Sequence, residues 1–296
     1  MKKFLAIVLA AILAVAALAL AACGGNKGGD TPAGSGNASA PAKPITIGIP
    51  NDPTNEARAL ELLQAQGLLK LKDTGDVEAT VMDITENPYN IQFSEIEAAQ
   101  LPNVLPDLDY AIINSNYAIG AQLTPFLTEG TDVSYPNIIA VKEGNEESDK
   151  IKALVAAVNS DAVAAYINDT YKGAIVCDLT TTFADGLDPS VDYDALNGQT
   201  ITIAASPTPH ADILAIAKDI LAKQGITLDI QEYNDYVVPN TVVDTGEVDA
   251  NYFQHIPYLN DFNKENGTHI VSVLEVHHEP MGIYSNKYDS LDPIKK

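Results

Sequence analysis

From Pro44 onward, short apolar runs alternate with amphipathic stretches, and the spacing of apolar positions switches repeatedly between about two and about 3.6 residues. The runs predict strands at 45–49, 77–83, 111–113, 138–141, 200–204, 227–231, 248–250 and 270–276. Helical spacing marks 55–66, 151–158, 162–171 and 211–224. Asp52-Pro53-Thr54 offers the first helix a cap and an N-terminal proline, while Gly67 and Gly225 stop the first and last. Strands alternating with helices, without a long repeat, predict α/β layers with mostly parallel sheets. Residues 173–198 lack sustained periodicity and are rich in Gly, Pro, Asp and Thr, so they read as a connector.

The first 43 residues follow other rules. Lys2 and Lys3 precede an unbroken apolar run from Phe4 to Ala22, and Leu20-Ala21-Ala22-Cys23 matches a bacterial lipobox. Residues 1–23 are therefore expected to be a lipoprotein signal peptide, with Cys23 lipidated and holding the protein on the outer face of the bacterial cell membrane. A transmembrane helix is the other reading, because the run is about as long as the roughly 17 to 25 residues a span needs. Small residues leading straight into a cysteine, with no basic stop-transfer cluster behind it, argue for the lipobox. Residues 24–43, mostly Gly, Ser, Ala and Pro, have almost nothing to bury and read as a disordered tether.

A formal net charge of −23 disfavours nucleic acid and any polybasic contact with anionic lipid. Cys177 is the only other cysteine, so a lipidated Cys23 leaves no intramolecular disulfide. Its apolar neighbours Ala174-Ile175-Val176, and the lack of a His nearby in sequence, make it an incidental thiol. No P-loop, dinucleotide glycine fingerprint or nucleophile elbow appears. No catalytic residue, cofactor or metal is expected.

Five polar boxes carry a specific resemblance. IPNDPTNEAR (49–58), INSNYAIG (113–120), SPTPHADIL (206–214), DANYFQHIPYLNDFNKENG (249–267) and EPMGIY (279–284) resemble the methionine-binding lipoproteins of ABC importers. In that family the last three boxes precede the first, so the resemblance implies a circular permutation in which residues 177–195 bridge the usual termini. It implies an α/β, two-lobed fold of the type II periplasmic-binding-protein kind, with a ligand cleft between the lobes. Lobe one would hold 44–136 plus 281–296, and lobe two 137–280. Ile45 and Pro293 are then expected to lie close together. A dimer with swapped halves is the alternative.

Candidate binding residues follow from the same boxes. Arg58, read as lying in the first turn of its helix, could clamp a carboxylate through two hydrogen bonds. By itself it reads more readily as a surface arginine paired with Glu56 or Glu61; the resemblance reverses that and implies the clamp. Asn114 and Asn116 follow a strand end, and their amides can meet both charged ends of a zwitterion, although Asn-x-Asn also simply ends strands. Tyr252, Phe253 and His255 offer an aromatic wall suited to a thioether, or part of a lobe core. His210 and Tyr236 occupy matching family positions, His210 as a polar wall. His277 and His278 sit beside Glu279, but neighbours on a strand face opposite ways and cannot easily share an ion. The resemblance implies a monomeric, extracytoplasmic protein that binds methionine and delivers it to a permease driven by an ATPase. Another small apolar amino acid, a methionine-containing dipeptide, a surface interaction role and a hydrolase built on Ser206 and His210 are the alternatives.

Overall fold

A computed structural model describes residues 44–75, 78–130 and 135–296. The expected signal peptide, Cys23 and the tether lie outside the described residues. Among those described, no helix is long and apolar enough to cross a membrane.

Strand β1 (Thr46–Pro50) leads into helix α1 (Pro53–Ala65), where Asp52 caps the helix by accepting from the Asn55 amide. Gly67, at φ +71°, ends it in the left-handed conformation that glycine adopts without strain. A small ribbon follows, β2 (Lys70–Leu71) with β3 (Ile84–Glu86), and then β4 (Gln92–Ile96), α2 (Leu101–Val104) and β5 (Tyr110–Ile113). Helix α3 (Ser115–Gly120) and β6 (Leu127–Thr128) complete this part. The next strand, β7 (Pro136–Lys142), belongs to a second sheet with α4 (Asp149–Val158), α5 (Asp161–Tyr171) and β8 (Val176–Cys177). The chain continues through α6 (Tyr193–Leu196), β9 (Thr200–Ala205), α7 (Asp212–Ala222), β10 (Thr227–Glu232) and α8 (Val238–Asp244). It then forms β11 (Ala250–His255), α9 (Ile256–Asn266) and β12 (Ile270–His278), and returns to the first sheet as β13 (Gly282–Tyr284).

The two sheets are the frameworks of two lobes. The first runs β4-β1-β5-β13-β6, with β1 parallel to β4 and β5 and β13 antiparallel to its neighbours. The second runs β10-β9-β11-β7-β12-β8, parallel across β10, β9 and β11 and antiparallel around β7. Each has its own core. Ile47, Ile49, Leu60, Leu63 and Ile112 pack in the first, and Ile139, Leu154, Ile203, Leu214 and Leu221 in the second. Each such side chain contributes about 1.5–3 kcal/mol on burial.

Three expectations need correction. Of the strand expected at 77–83, residue 77 lies outside the described residues, and the rest holds a helical turn at Val81–Asp83 in which Thr80 and Asp83 cap each other. The strand expected at 248–250 begins at Ala250 and runs to His255, so the aromatic box lies on a strand held between β9 and β7. The 173–198 connector is more ordered than its composition implies. Phe183 exchanges backbone bonds with Asn159 and Asp161, Val191 and Leu196 join the core, and Gly186 lies where a Cβ would come within 2.9 Å of Ile220.

The start of β1 and the last residues meet at Asp109. Thr46 donates to Asp109 Oδ2 through its amide (3.0 Å) and hydroxyl (2.9 Å), while Lys287 Nζ reaches Asp109 Oδ1 at 3.1 Å. Ile45 packs against the same core as Leu291 and Ile294.

Candidate functional site

Helix α1 presents Asn55 and Arg58 to a pocket between the sheets. Arg58 stands in the second turn, not the first, because the helix begins at Pro53. The free amides and dipole of the helix start therefore act at Asn55 rather than at Arg58. Neither Glu56 nor Glu61 pairs with the guanidinium. Its partner is Glu129, beyond β6, which accepts from Nε at 3.1 and 3.0 Å and also from Nη2. Both side chains are buried, and the Met281 amide donates to the same carboxylate at 2.8 Å. Nη2 also donates to the Glu279 carbonyl at 2.7 Å, and the Tyr135 ring lies 4.4 Å from Cζ. Among the described residues, the guanidinium bonds protein through Nε and Nη2 and not through Nη1.

The end of β5 supplies the asparagines. Asn114 Nδ2 donates to Asn55 Oδ1 at 2.8 Å, while Asn114 Oδ1 is buried without a partner. Such an orphaned acceptor costs about 1–3 kcal/mol until a donor arrives. Asn116 Oδ1 accepts from the Tyr236 hydroxyl at 2.8 Å, a bond that spans the two lobes. Further bridges across the cleft run from Thr54 Oγ1 to Asp261 (2.7 Å), from Tyr117 to the Asn234 carbonyl (3.0 Å) and between His255 and Asn55 (3.4 Å).

On the opposite side, β11 and α9 form the wall. A register shift between Tyr252 and Gln254 lets Phe253, Gln254 and His255 all line the pocket, where Phe253, Tyr236 and Tyr258 stand 5.8–6.0 Å apart between ring centres. His255 caps α9 by accepting from the Tyr258 amide at 3.3 Å, so its other ring nitrogen carries the proton and donates to Asn55. Burial, helped by the nearby Arg58 charge, lowers its pKa to about 3. The ring is neutral at physiological pH.

Six expected residues thus line one pocket: Arg58, Asn114, Asn116, Tyr236, Phe253 and His255. Tyr252 and His210 do not. Tyr252 points the other way into the second core, and its hydroxyl meets His277 Nδ1. His210 Nε2 lies 2.9 Å from Asn137 Oδ1 and 3.6 Å from Glu279, behind the pocket surface. Burial lowers its pKa to about 3, with the Glu279 charge opposing. His277 and His278 do face opposite ways: His277 Nε2 bonds Glu279 at 2.8 Å, and His278 Nδ1 bonds Asp178 at 3.0 Å. Cys177 has no histidine near it in sequence, but strand register sets it opposite His277.

Sequence reasoning missed Asn55, Glu129, Tyr135, Tyr258 and Glu279. Asn55, Tyr258 and Glu279 lie inside the quoted boxes. Glu129 is 71 positions from Arg58 and nothing local marks it.

The model of the family described as NlpA lipoprotein matches residues 42–178 and 201–296. Outer membrane lipoprotein 3 of Mannheimia haemolytica is 43% identical over 135 residues, 44% of this chain and 51% of that protein. A protein of Pasteurella multocida named probable D-methionine-binding lipoprotein MetQ is 39% identical, over 44% of this chain and 49% of its own length. A solved structure of a Burkholderia cenocepacia nutrient-binding protein bound to methionine is 46% identical over 44% of this chain and 56% of its own, with a TM-score of 0.42. The chain spans about half the length of the curated relatives it matches.

Proposed function

Because the chain belongs to the NlpA lipoprotein family, we propose that it is the solute-binding component of an ABC importer. It takes methionine between its lobes and passes it to a membrane permease coupled to an ATPase. The observation that carries this reading is the convergence, in one buried pocket, of Arg58, Asn114 and Asn116 from one lobe with Tyr236, Phe253 and His255 from the other. The free edge of Arg58 suits a carboxylate, the asparagine amides suit polar backbone atoms, and the rings suit a thioether, for which sulfur against an aromatic edge is worth roughly 0.3–1.5 kcal/mol. The name of the Pasteurella multocida relative supports the same ligand. Tyr252 and His210 support the pocket from behind instead of touching the ligand.

Cys23 is the proposed lipid anchor and residues 24–43 the tether, which set the protein outside the cytoplasmic membrane. Circular permutation is proposed for the connectivity. Its support is the two-segment family match interrupted between 178 and 201, the collinear matches that each cover about half of a relative, and the meeting of Thr46 and Lys287 at Asp109.

Mass spectrometry of the small molecules released on denaturing the purified protein tests the ligand. Methionine released unaltered, and bound again in calorimetry, is the expected result. A protein that neither carries nor binds methionine refutes the assignment and returns attention to other small apolar amino acids.

A further inference from the structure

We infer that Glu279, held in place by His277 and His210, is the receptor for the ligand's primary ammonium group, so that the cleft selects free α-amines over N-acylated or deaminated molecules. This rests on the amino-acid-binding reading and adds a residue to it.

Arg58 and Glu129 neutralise each other in a close buried pair, whereas Glu279 is buried, lines the same pocket, and has no Lys or Arg at its carboxylate among the described residues. Its bonds come from imidazoles. The arrangement that pairs Tyr252, His277 and Glu279 has the Tyr252 hydroxyl donating to His277 Nδ1, so that His277 Nε2–H donates to Glu279 Oε1 at 2.8 Å. His210 stands 3.6 Å from the same oxygen and is neutral. Burial acts to raise the Glu279 pKa, but the hydrogen bond from His277, with the Arg58 charge behind it, outweighs it and the group stays anionic. One negative charge in the pocket therefore lacks a cation, and an isolated buried charge is strongly disfavoured.

A second, independent observation identifies the kind of cation. Asn114 Oδ1 is an acceptor buried without a partner in the same pocket. A carboxylate and a spare amide oxygen, both acceptors, match the three N–H donors of an ammonium. A metal ion is the competing occupant, since ligating atoms of His210, His277 and Glu279 lie within 4.8 Å of one another. It would need the His277 and His210 Nε2 positions stripped of the protons that now bond Glu279 and Asn137, and it would leave Asn114 Oδ1 unexplained.

Calorimetry with methionine and with 4-(methylthio)butanoate, the same molecule without its amine, tests the assignment in the wild type and in Glu279→Gln. Wild type should bind the deaminated compound at least about 30-fold more weakly. Glu279→Gln should lose methionine affinity by a comparable factor while holding 4-(methylthio)butanoate within about threefold. Equal losses for both ligands, or none, would overturn the inference in favour of a packing role. Methionine binding that vanishes after EDTA dialysis and returns with zinc would overturn it in favour of a metal. Should Glu279→Gln fail to fold, the wild-type ligand pair still decides, because equal affinities refute an ammonium receptor. A wild type that binds neither compound refutes the amino-acid reading itself, and the inference falls with it.

Discussion

Arg58 occupies an unusual position for the ligand clamp proposed for it, because it is already ion-paired with Glu129. Glu129 orients the guanidinium and leaves one edge free, so the two residues should fail differently when changed. Arg58→Ala is expected to weaken methionine binding by about 2–5 kcal/mol in calorimetry, and an unchanged affinity would remove it from the site. Glu129→Gln should destabilise the protein by about 3–5 kcal/mol in urea titrations, since it leaves a buried cation unpaired. His255 carries a pH signature. Its pKa is about 3 when folded against a usual value near 6.5, so the unfolded chain takes up the proton first as pH falls. The stability it contributes is complete above about pH 6.5 and is lost progressively between there and about pH 3. His255→Asn, which can still cap α9, should flatten that part of the acid limb of a stability–pH curve. The residue types and positions of this half of the site were legible in the boxes. The Arg58 partner was not, because an ion pair formed 71 positions apart leaves no local pattern.

At the scale of elements, α1 is the hinge between sequence and site. Its proline, cap and glycine stop were all readable, and they set the phase that turns Asn55 and Arg58 to the pocket while Leu60 and Leu63 enter the core. Asp52→Ala removes the bond to the Asn55 amide and also the 2.8 Å bond from the Asn55 side chain. It should cost about 0.5–2 kcal/mol in thermal or urea unfolding and also weaken ligand binding, whereas Leu60→Ala should cost about 2–5 kcal/mol of stability with little effect on affinity once folded. Strand β11 shows the limit of reading by period. Its apolar and aromatic run continues directly into α9, and two aromatics at 252 and 253 look alike in sequence. Only the folded strand separates them, sending Tyr252 to the core and Phe253 to the pocket.

For the whole molecule, the cross-lobe bonds from Tyr236, Thr54 and Tyr117 describe lobes drawn together over the pocket. A ligand that bridges them should raise the unfolding free energy by about 2.7 kcal/mol at a concentration a hundred times its Kd, measurable as a shift in melting temperature. If the proposed connectivity closes within one chain, light scattering after size exclusion should give a monomer mass, and a dimer mass would favour swapped halves. The sequence by itself determined the α/β class, the limits of α1, α4, α5 and α7 to within two residues, the family resemblance and six of the residues around the pocket, because those follow from local periodicity, capping chemistry and contiguous boxes. Tertiary structure alone decided that Glu129 neutralises Arg58, that His210 and Tyr252 stand behind the pocket, and that Glu279 joins the pocket lining with imidazoles, not a Lys or Arg, at its carboxylate. Those facts depend on burial and on distances between residues far apart in the chain, and both come into being only when the two sheets pack.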